Sequence, residues 1–197
     1  GIPQPEKHHP EIDTGLHSLL SLKAACQLSE EVSVRFAALI HDLGKGLTPE
    51  SEWPQHKAHE RRSLPLVKTL CERLKAPNNV RSLALLAAEY HTHVHRAFEL
   101  KASTLLKVIR SSDAFRNIEK FEQFLLVCEA DCKGRTGLEN EAYPQSLYFM
   151  SALNAAKAVK PAELITEGFS GKELGLALQR KQQASIEHLK RERANAS

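Results

Sequence analysis

A histidine and an aspartate stand side by side at the end of an apolar stretch of this chain. His41 and Asp42 follow the run 34–40 and lead directly into Gly44-Lys45-Gly46. Imidazole nitrogen and carboxylate oxygen both bind divalent metals, and burying either group without a partner is costly. Taken alone, the pair fits two interpretations equally well: metal ligands, or polar residues that a helix end exposes to water. Together with the lysine, the first interpretation predicts hydrolysis of a phosphate ester.

Basic residues near this pair are candidates for contact with a phosphate. Lys45 is flanked by glycines, so its ammonium could approach a phosphate and neutralise charge that develops in the transition state. The alternative is a cation that stabilises a helix C-terminus. Arg61 and Arg62 are weaker candidates, because exposed arginines on a helix usually only solvate it.

Most of the histidines lie in the same half of the chain as the pair. Seven of the ten fall between positions 17 and 95. His56 and His59 are three residues apart, so they could point inward from one face of a helix. The segment 91–95 carries histidine at alternate positions and is a possible metal-binding tract. Any one histidine alone is more often a solvated or hydrogen-bonded residue.

The composition predicts one globular domain. The 197 residues are 42% hydrophobic and 26% charged, which is ordinary for a soluble protein. No apolar run approaches the roughly 20 residues that span a bilayer, and no signal pattern precedes the helices, so we expect a cytoplasmic chain. The four cysteines are scattered and indicate neither a disulfide framework nor a zinc ribbon. A net charge of +3 permits nucleic-acid binding without requiring it.

The periodicity of the apolar residues predicts an all-α fold. They recur at steps of three and four and almost nowhere alternate. We expect Asp13 or Thr14 to cap the first helix, Ser29 to open the second, and Gly44 and Gly46 to end it. The tail from position 171 is predicted to be an amphipathic helix that frays. Further helices are expected to carry the apolar residues of 66–74, 80–86, 105–109 and 118–127, and one to cover 144–159.

The order of the polar residues resembles the HD phosphohydrolase superfamily. The matching positions are His17, His41-Asp42, His56 or His59, His91 and Asp113. The resemblance implies a helical bundle that binds one divalent metal through His17, His41, Asp42 and Asp113. Asp42 and Lys45 would then be the catalytic residues.

The same resemblance ranks the remaining histidines. His59 matches the middle histidine of the superfamily better than His56, and richer members of the superfamily use such histidines for a second ion. His91 is the expected ligand from the segment 91–95, with His93 and His95 as loop residues. Imidazole and carboxylate ligands suit nickel, manganese, cobalt, iron or zinc, and magnesium also stays open. A bound metal would lower the pKa of a coordinated water and so make hydroxide available near neutral pH.

A narrower resemblance covers most of the chain. The segments 1–5, 9–15, 41–49, 129–131 and 134–137 are similar to the C-terminal HD domain of the long bacterial CCA-adding enzymes, which are tRNA nucleotidyltransferases also called multifunctional CCA proteins. That family implies phosphatase, 2′-nucleotidase and 2′,3′-cyclic phosphodiesterase activities that serve the repair of tRNA 3′ ends. The carboxylate pair and Gly-Ser motif of nucleotide addition are absent from this sequence.

The family also implies how the chain is divided. We expect a linker from a preceding nucleotidyltransferase region over 1–12, the HD domain over 13–160 and a helical extension over 161–197. One position departs from the family: Thr92 follows His91 where a second His-Asp pair is frequent. Threonine cannot carry a carboxylate charge, and we interpret this position as an outer partner of the site.

Two other functions stay open. The chain could be a non-catalytic RNA-contact or dimerisation module, because basic residues are scattered along it and clustered in 190–193; such runs are more often solvated helix faces. It could also be a free-standing HD nucleotidase. Partners would be a tRNA 3′ end or small nucleotides, and a homodimer is an open possibility.

Overall fold

The computed structural model describes residues 1–7 and 9–196. Over these residues the chain is all-α, with one isolated β-bridge between Pro3 and Asp13. This confirms the predicted fold class. The helices are α1 (Thr14–Leu28), α2 (Val32–Ile40), α3 (His59–Arg73), α4 (Asn78–His95), α5 (Ala102–Ser111), α6 (Ile118–Lys133), α7 (Pro144–Ala158), α8 (Pro161–Thr166) and α9 (Gly171–Ala196). Short 3₁₀ turns cover Leu43–Leu47, Glu50–Glu52 and Ala97–Glu99.

The first two helices show how local chemistry sets their ends. The Asp13 side chain accepts a hydrogen bond from the Leu16 amide at 2.8 Å and caps α1 as predicted. Helix α2 ends at Ile40, earlier than the expected end at the glycines. Gly44 instead belongs to a 3₁₀ turn packed so tightly on α3 that a Cβ there would clash with the His59 carbonyl. The glycine is therefore needed for close packing.

The core lies between α1, α2, α4 and α6, which pack directly on one another. Val34, Leu83 and Phe124 come from three different helices and are fully buried. Burial of such side chains stabilises the fold by about 1.5–3 kcal/mol each. The core leaves the ends of these helices in defined positions, and the polar cluster described below lies at one of those ends.

The C-terminal helices belong to the same packed body. Helix α8 was not predicted as a separate element, because it holds only one short turn after Pro161. The prediction that the tail frays is wrong along most of its length: α9 packs on α5, α7 and α8, and Ile186 is fully buried. The Lys190 ammonium donates to the Leu100 carbonyl.

None of the described helices combines the length and the apolar character needed to cross a membrane.

Candidate metal centre

Five helices bring histidines and carboxylates together at one end of the bundle. Helix α1 carries one of these side chains, the turn after α2 carries two, and the others come from the start of α3 and from the last turns of α4 and α6. The converging residues are His17, His41, Asp42, His59, His91, His95 and Asp131. The structure thus assembles one polar cluster from parts of the chain more than 100 positions apart.

Asp42 is the centre of one half of this cluster. Its Oδ1 lies 3.1 Å from His59 Nε2 and 3.3 Å from His91 Nε2, and its Oδ2 lies 3.3 Å from His41 Nε2. The Lys45 ammonium is 2.6 Å from Oδ2. Burial alone would raise the pKa of Asp42, but the charges of Lys45 and His41 outweigh it and hold that pKa well below its usual value. The carboxylate is therefore ionised.

Asp131 is the centre of the other half. Its Oδ1 lies 3.0 Å from His17 Nε2, while its Oδ2 lies 2.6 Å from His95 Nε2 and 3.5 Å from His41 Nε2. Burial would raise its pKa, but the charges of His95 and His41 outweigh the effect and hold the pKa well below its usual value. His41 thus stands between two ionised carboxylates.

The histidines present the same nitrogen to the cluster. In His41, His59 and His91, Nδ1 lies 2.8, 3.0 and 2.9 Å from a backbone carbonyl oxygen, which can only accept, so Nδ1 carries the proton. In the neutral rings the Nε2 lone pairs are then directed at the carboxylates. A backbone partner that fixes the tautomer in this way is the usual arrangement of metal-binding histidines. The carbonyl oxygens belong to Ala38, His56 and Ala87.

Two buried atoms at the centre have no hydrogen-bond partner among the described residues. They are His41 Nε2 and Asp42 Oδ1. Lone pairs that face carboxylate oxygens inside a protein are unfavourable unless a cation lies between them. Four overlapping sets offer ligand atoms within 4.8 Å of one another: His9, Glu11 and His17; His17, His41 and Asp42; His41, His91 and Asp131; and Asp42, His59 and His91. The donor set fits a divalent metal.

Protonation balances the carboxylates when no metal is bound. Burial disfavours the charged form of His17, yet hydrogen bonds from its ring to Asp131 and Glu11 raise its pKa to about 9. His59 is also buried, and its contact with Asp42 raises its pKa. His91 is the opposite case, since burial lowers its pKa to about 4. Metal binding would displace the protons from His17 and His59.

The N-terminal segment, interpreted from sequence as a linker, packs against this cluster. Glu11 Oε1 lies 2.8 Å from His17 Nδ1 and 3.0 Å from His9 Nδ1. Gln4 accepts a hydrogen bond from Lys45 Nζ at 2.5 Å. These three residues were missed because isolated polar residues before the first helix carry no periodic signal. The only hint was that His9 and Glu11 lie in the family-like segment 9–15.

The position of Asp113 corrects the predicted ligand set. This residue follows α5 with a left-handed backbone (φ 61°), its carboxylate is 2.7 Å from Arg116 Nε, and its side chain is 40% exposed. Asp131, whose side chain is 2% exposed, occupies the place in the cluster that was expected for Asp113. Asp113 lies in the segment between α5 and α6, whereas Asp131 lies in the last turn of α6, whose 16 residues span about 24 Å. The signal available in the sequence was that Asp131 lies between Cys128 and Cys132, on the face of the helix that is buried.

Among the other histidines, His56 is not part of any of these ligand sets. Its Nδ1 is 2.6 Å from Thr48 Oγ1 and its Nε2 is 2.6 Å from the Pro3 carbonyl, so both nitrogens are occupied. The prediction that His93 and His95 lie in a loop is wrong, because α4 continues through both. His95 joins the cluster through Asp131, and the Tyr143 hydroxyl lies 2.8 Å from its Nδ1.

The remaining predicted residues lie around the cluster. Lys45 is buried and lines it, whereas Arg61 is exposed on α3 and Arg62 pairs with Glu52 at 3.1 Å. The Thr92 hydroxyl donates to Glu60 Oε1 at 2.8 Å. Arg61 and Arg62 therefore stand outside the polar cluster.

A cavity of about 270 Å³ opens above the carboxylates. It is lined by Asp42, Asp131 and the imidazoles of α3 and α4, together with Lys45, Arg96 and Arg135. A small ligand that enters this cavity meets both metal-binding atoms and positive charge. This arrangement suits an anionic substrate.

Comparison with known proteins agrees with this geometry. The model of the HD domain family matches residues 14–118, more than half of the chain, and the chain belongs to that family. A relative from Hahella chejuensis is 51% identical over 98% of this chain, one from Teredinibacter turnerae 54% over 90%, and one from Vibrio cholerae 51% over 96%.

These three relatives are each named multifunctional CCA protein. The matches cover 46%, 43% and 47% of the relatives, so the chain spans about half of their length. No solved structure matches the chain.

Proposed function

We propose that this HD domain is a metal-dependent phosphohydrolase that acts on 2′,3′-cyclic phosphates and 2′-phosphates of nucleotides and of RNA 3′ ends. The observation that carries the proposal is the pair of buried, ionised carboxylates, Asp42 and Asp131, that share His41 beneath a cationic cavity. Carboxylates without a metal or a proton between them are rare inside proteins.

In this proposal the first ion is held by His17, His41, Asp42 and Asp131. Asp42, His59 and His91 offer a second set of ligands. The chemistry that a bound divalent ion supplies is Lewis-acid activation of water and of a phosphate oxygen. Nickel, manganese and cobalt suit such mixed ligands, and magnesium would depend more on the carboxylates.

The chain's own residues position the substrate and manage charge. Lys45, held by Asp42 and Gln4, keeps a positive charge in the cavity lining, where the transition state would gain negative charge. The Tyr143 hydroxyl orients His95, whose Nε2 faces Asp131. The N-terminal segment covers His17 through Glu11 and limits the access of bulk water to that side.

The substrate class follows from the cavity and from the relatives. About 270 Å³ is at the lower end of small-molecule sites, so one nucleotide end enters rather than a folded RNA. The relatives are named multifunctional CCA proteins, and the CCA-adding family that the sequence resembles acts on tRNA 3′ ends. We therefore propose a role in trimming damaged tRNA 3′ ends beside a nucleotidyltransferase.

The test is hydrolysis of 2′,3′-cyclic AMP by the purified chain, with metal content measured in the same sample. Chelation should abolish turnover, and nickel, cobalt, manganese or magnesium should restore it. His41→Ala and Asp42→Asn should lose both turnover and metal while helix content stays unchanged. His188→Ala is the matched control, because that histidine is 73% exposed on α9. Activity that survives chelation, or no activity with any of these metals, would sink the proposal.

A second function, contact with RNA, is favoured by a basic cavity elsewhere. A cavity of about 570 Å³ beside α5, α7 and α9 is lined by Arg110, Arg116, Lys157 and Lys160 with one carboxylate, Asp113. Phosphate contacts make binding salt-dependent, with a slope set by the number of ion pairs. tRNA binding that weakens steeply with salt, and less steeply in a Lys157→Ala, Lys160→Ala variant, would support this function.

A further inference from the structure

Three permanently cationic side chains line the cavity above the carboxylates: Lys45, Arg96 and Arg135. A substrate phosphate needs donors that are not already engaged with protein groups. The three cations differ in this respect, and the difference decides which of them can bind the substrate.

Lys45 is the most engaged of the three. Its ammonium is 2.6 Å from Asp42 Oδ2 and 2.5 Å from Gln4 Oε1, and only 7% of its side chain is exposed. Arg96 is the most solvated: its side chain is 68% exposed, and its Nε donates to Glu99 at 2.9 Å. Two of the three ammonium donors of Lys45 are thus engaged, and the donors of Arg96 are largely hydrated.

Arg135 combines burial with free donors. Its side chain is 18% exposed, and its buried Nε has no hydrogen-bond partner among the described residues. The one side-chain hydrogen bond that its guanidinium makes with the described residues is a long one, 3.5 Å from Nη2 to Asp131 Oδ1. A guanidinium carries five donors in a planar fork, and leaving them unused in a partly buried site is costly.

The backbone directs this fork toward the site. Arg135 follows Gly134, the C-cap of α6, and stands four positions after Asp131. A Cβ on Gly134 would lie 2.6 Å from the Ser21 amide nitrogen, so α1 packs directly against this turn. The turn therefore keeps Arg135 beside the helix that carries His17.

We infer that Arg135 binds the non-bridging oxygens of the substrate phosphate through its guanidinium fork, next to the carboxylates of the metal centre. This inference rests on the proposed phosphohydrolase function and names the residue that holds its substrate. The fork matches two oxygens of one phosphate, a geometry that an ammonium does not reproduce. The ligand class is a phosphate monoester or a cyclic phosphodiester of a nucleotide.

The experiment compares R135A and R135K with R73A, a control at an exposed arginine in the last turn of α3, in the metal-loaded protein. We measure the KM and kcat for 2′,3′-cyclic AMP, the affinity for inorganic phosphate by calorimetry, and the metal content. Hydrogen bonds to charged groups contribute about 1.5–3 kcal/mol, so R135A should weaken phosphate binding and raise KM roughly 10- to 100-fold. R135K should recover only part of this loss, and R73A, away from the cavity, should change both values by less than about twofold.

The outcomes separate the two proposals. Unchanged KM and phosphate affinity in R135A would overturn the inference and leave the phosphohydrolase intact. If R135A does not fold, R135K decides, since it keeps the charge beside Asp131 and loses the fork; full phosphate affinity there would equally overturn the inference. Calorimetry needs no turnover, so a wild-type chain that binds phosphate through Arg135 without hydrolysis would contradict only the proposed activity.

Discussion

Two aspartates at opposite ends of α6 have very different surroundings. Asp131, in the last turn, contacts His17, His41 and His95 and is almost fully buried. Asp113, in the segment between α5 and α6, pairs with Arg116 and faces solvent. The two residues are chemically identical and differ only in which end of the bundle they occupy.

The comparison shows which surroundings make a carboxylate a candidate metal ligand in this fold. At the Asp131 end, helices from four distant parts of the chain converge, and each brings an imidazole. The Nδ1 atoms of His41 and His91 face backbone carbonyls, and Nδ1 of His95 faces the Tyr143 hydroxyl. At the Asp113 end, the surroundings are basic and open, with Arg110, Lys157 and Lys160 around a second cavity. The first end suits metal chemistry, and the second suits contact with an anionic surface.

The largest expected effect comes from exchanging each aspartate for asparagine. Asp131→Asn removes the charge that three histidines share, and kcat/KM should fall by more than about 100-fold, beyond the losses seen when an outer partner of a ligand is removed. Asp113→Asn should leave kcat/KM and metal content unchanged. Steady-state assays with metal analysis check this, and a comparable loss in both variants would break the comparison.

The next effect concerns stability. Gly44→Ala should lower the free energy of unfolding by about 1–3 kcal/mol, because the new Cβ meets the backbone of α3 and must displace it. Gly175→Ala is the control on α9, where nothing lies within 4 Å, and it should raise stability by about 0.4–1 kcal/mol. Urea titrations give both values. Equal stability of the two variants would show that the turn after Asp42 is not tightly packed.

A smaller effect is expected at Tyr143. Tyr143→Phe removes the hydroxyl that contacts His95 Nδ1, so metal affinity should fall by about tenfold. Tyr148→Phe is the matched control, since that ring packs on Phe98 at 5.1 Å outside the cluster. Metal titration of the apo protein distinguishes them. Unchanged affinity in Tyr143→Phe would place His95 outside the working site.

The smallest effect is expected at Thr92. Thr92→Val removes the hydrogen bond to Glu60, which should cost about 0.5–1.5 kcal/mol of stability. Because the Thr92 hydroxyl bonds to Glu60, which lies 3.7 Å from His59, and not to a carboxylate of the cluster, kcat should change by less than about tenfold. A complete loss of turnover with metal still bound would instead give the hydroxyl a direct role in the reaction.

The sequence predicted several parts of this arrangement for clear physical reasons. The periodic apolar residues predict the helices of the bundle. The Asp13 cap is a local feature, because it depends on one side chain and one nearby amide. The proposal of His17, His41 and Asp42 as ligands of one metal rested on resemblance, and the structure brings these residues together. Their roles stay predictions until metal is measured.

Other parts lay beyond local patterns. Helix α9 looked like a charged tail, but α5, α7 and α8 supply the surface that buries Ile186. His95 was interpreted as a loop residue on the resemblance, although α4 includes it. Glu11 and Gln4 contact the site from a segment without any regular element.

By itself the sequence determined the all-α character of the chain and the residue types from which a metal centre could be built. Only the tertiary structure decided that Asp131 rather than Asp113 closes the cluster, and that Arg135 faces it with unused donors. The physical reason is that spacing along a helix defines the face on which a side chain lies. Which helix ends meet depends on the packing of α1, α2, α4 and α6 around a common core.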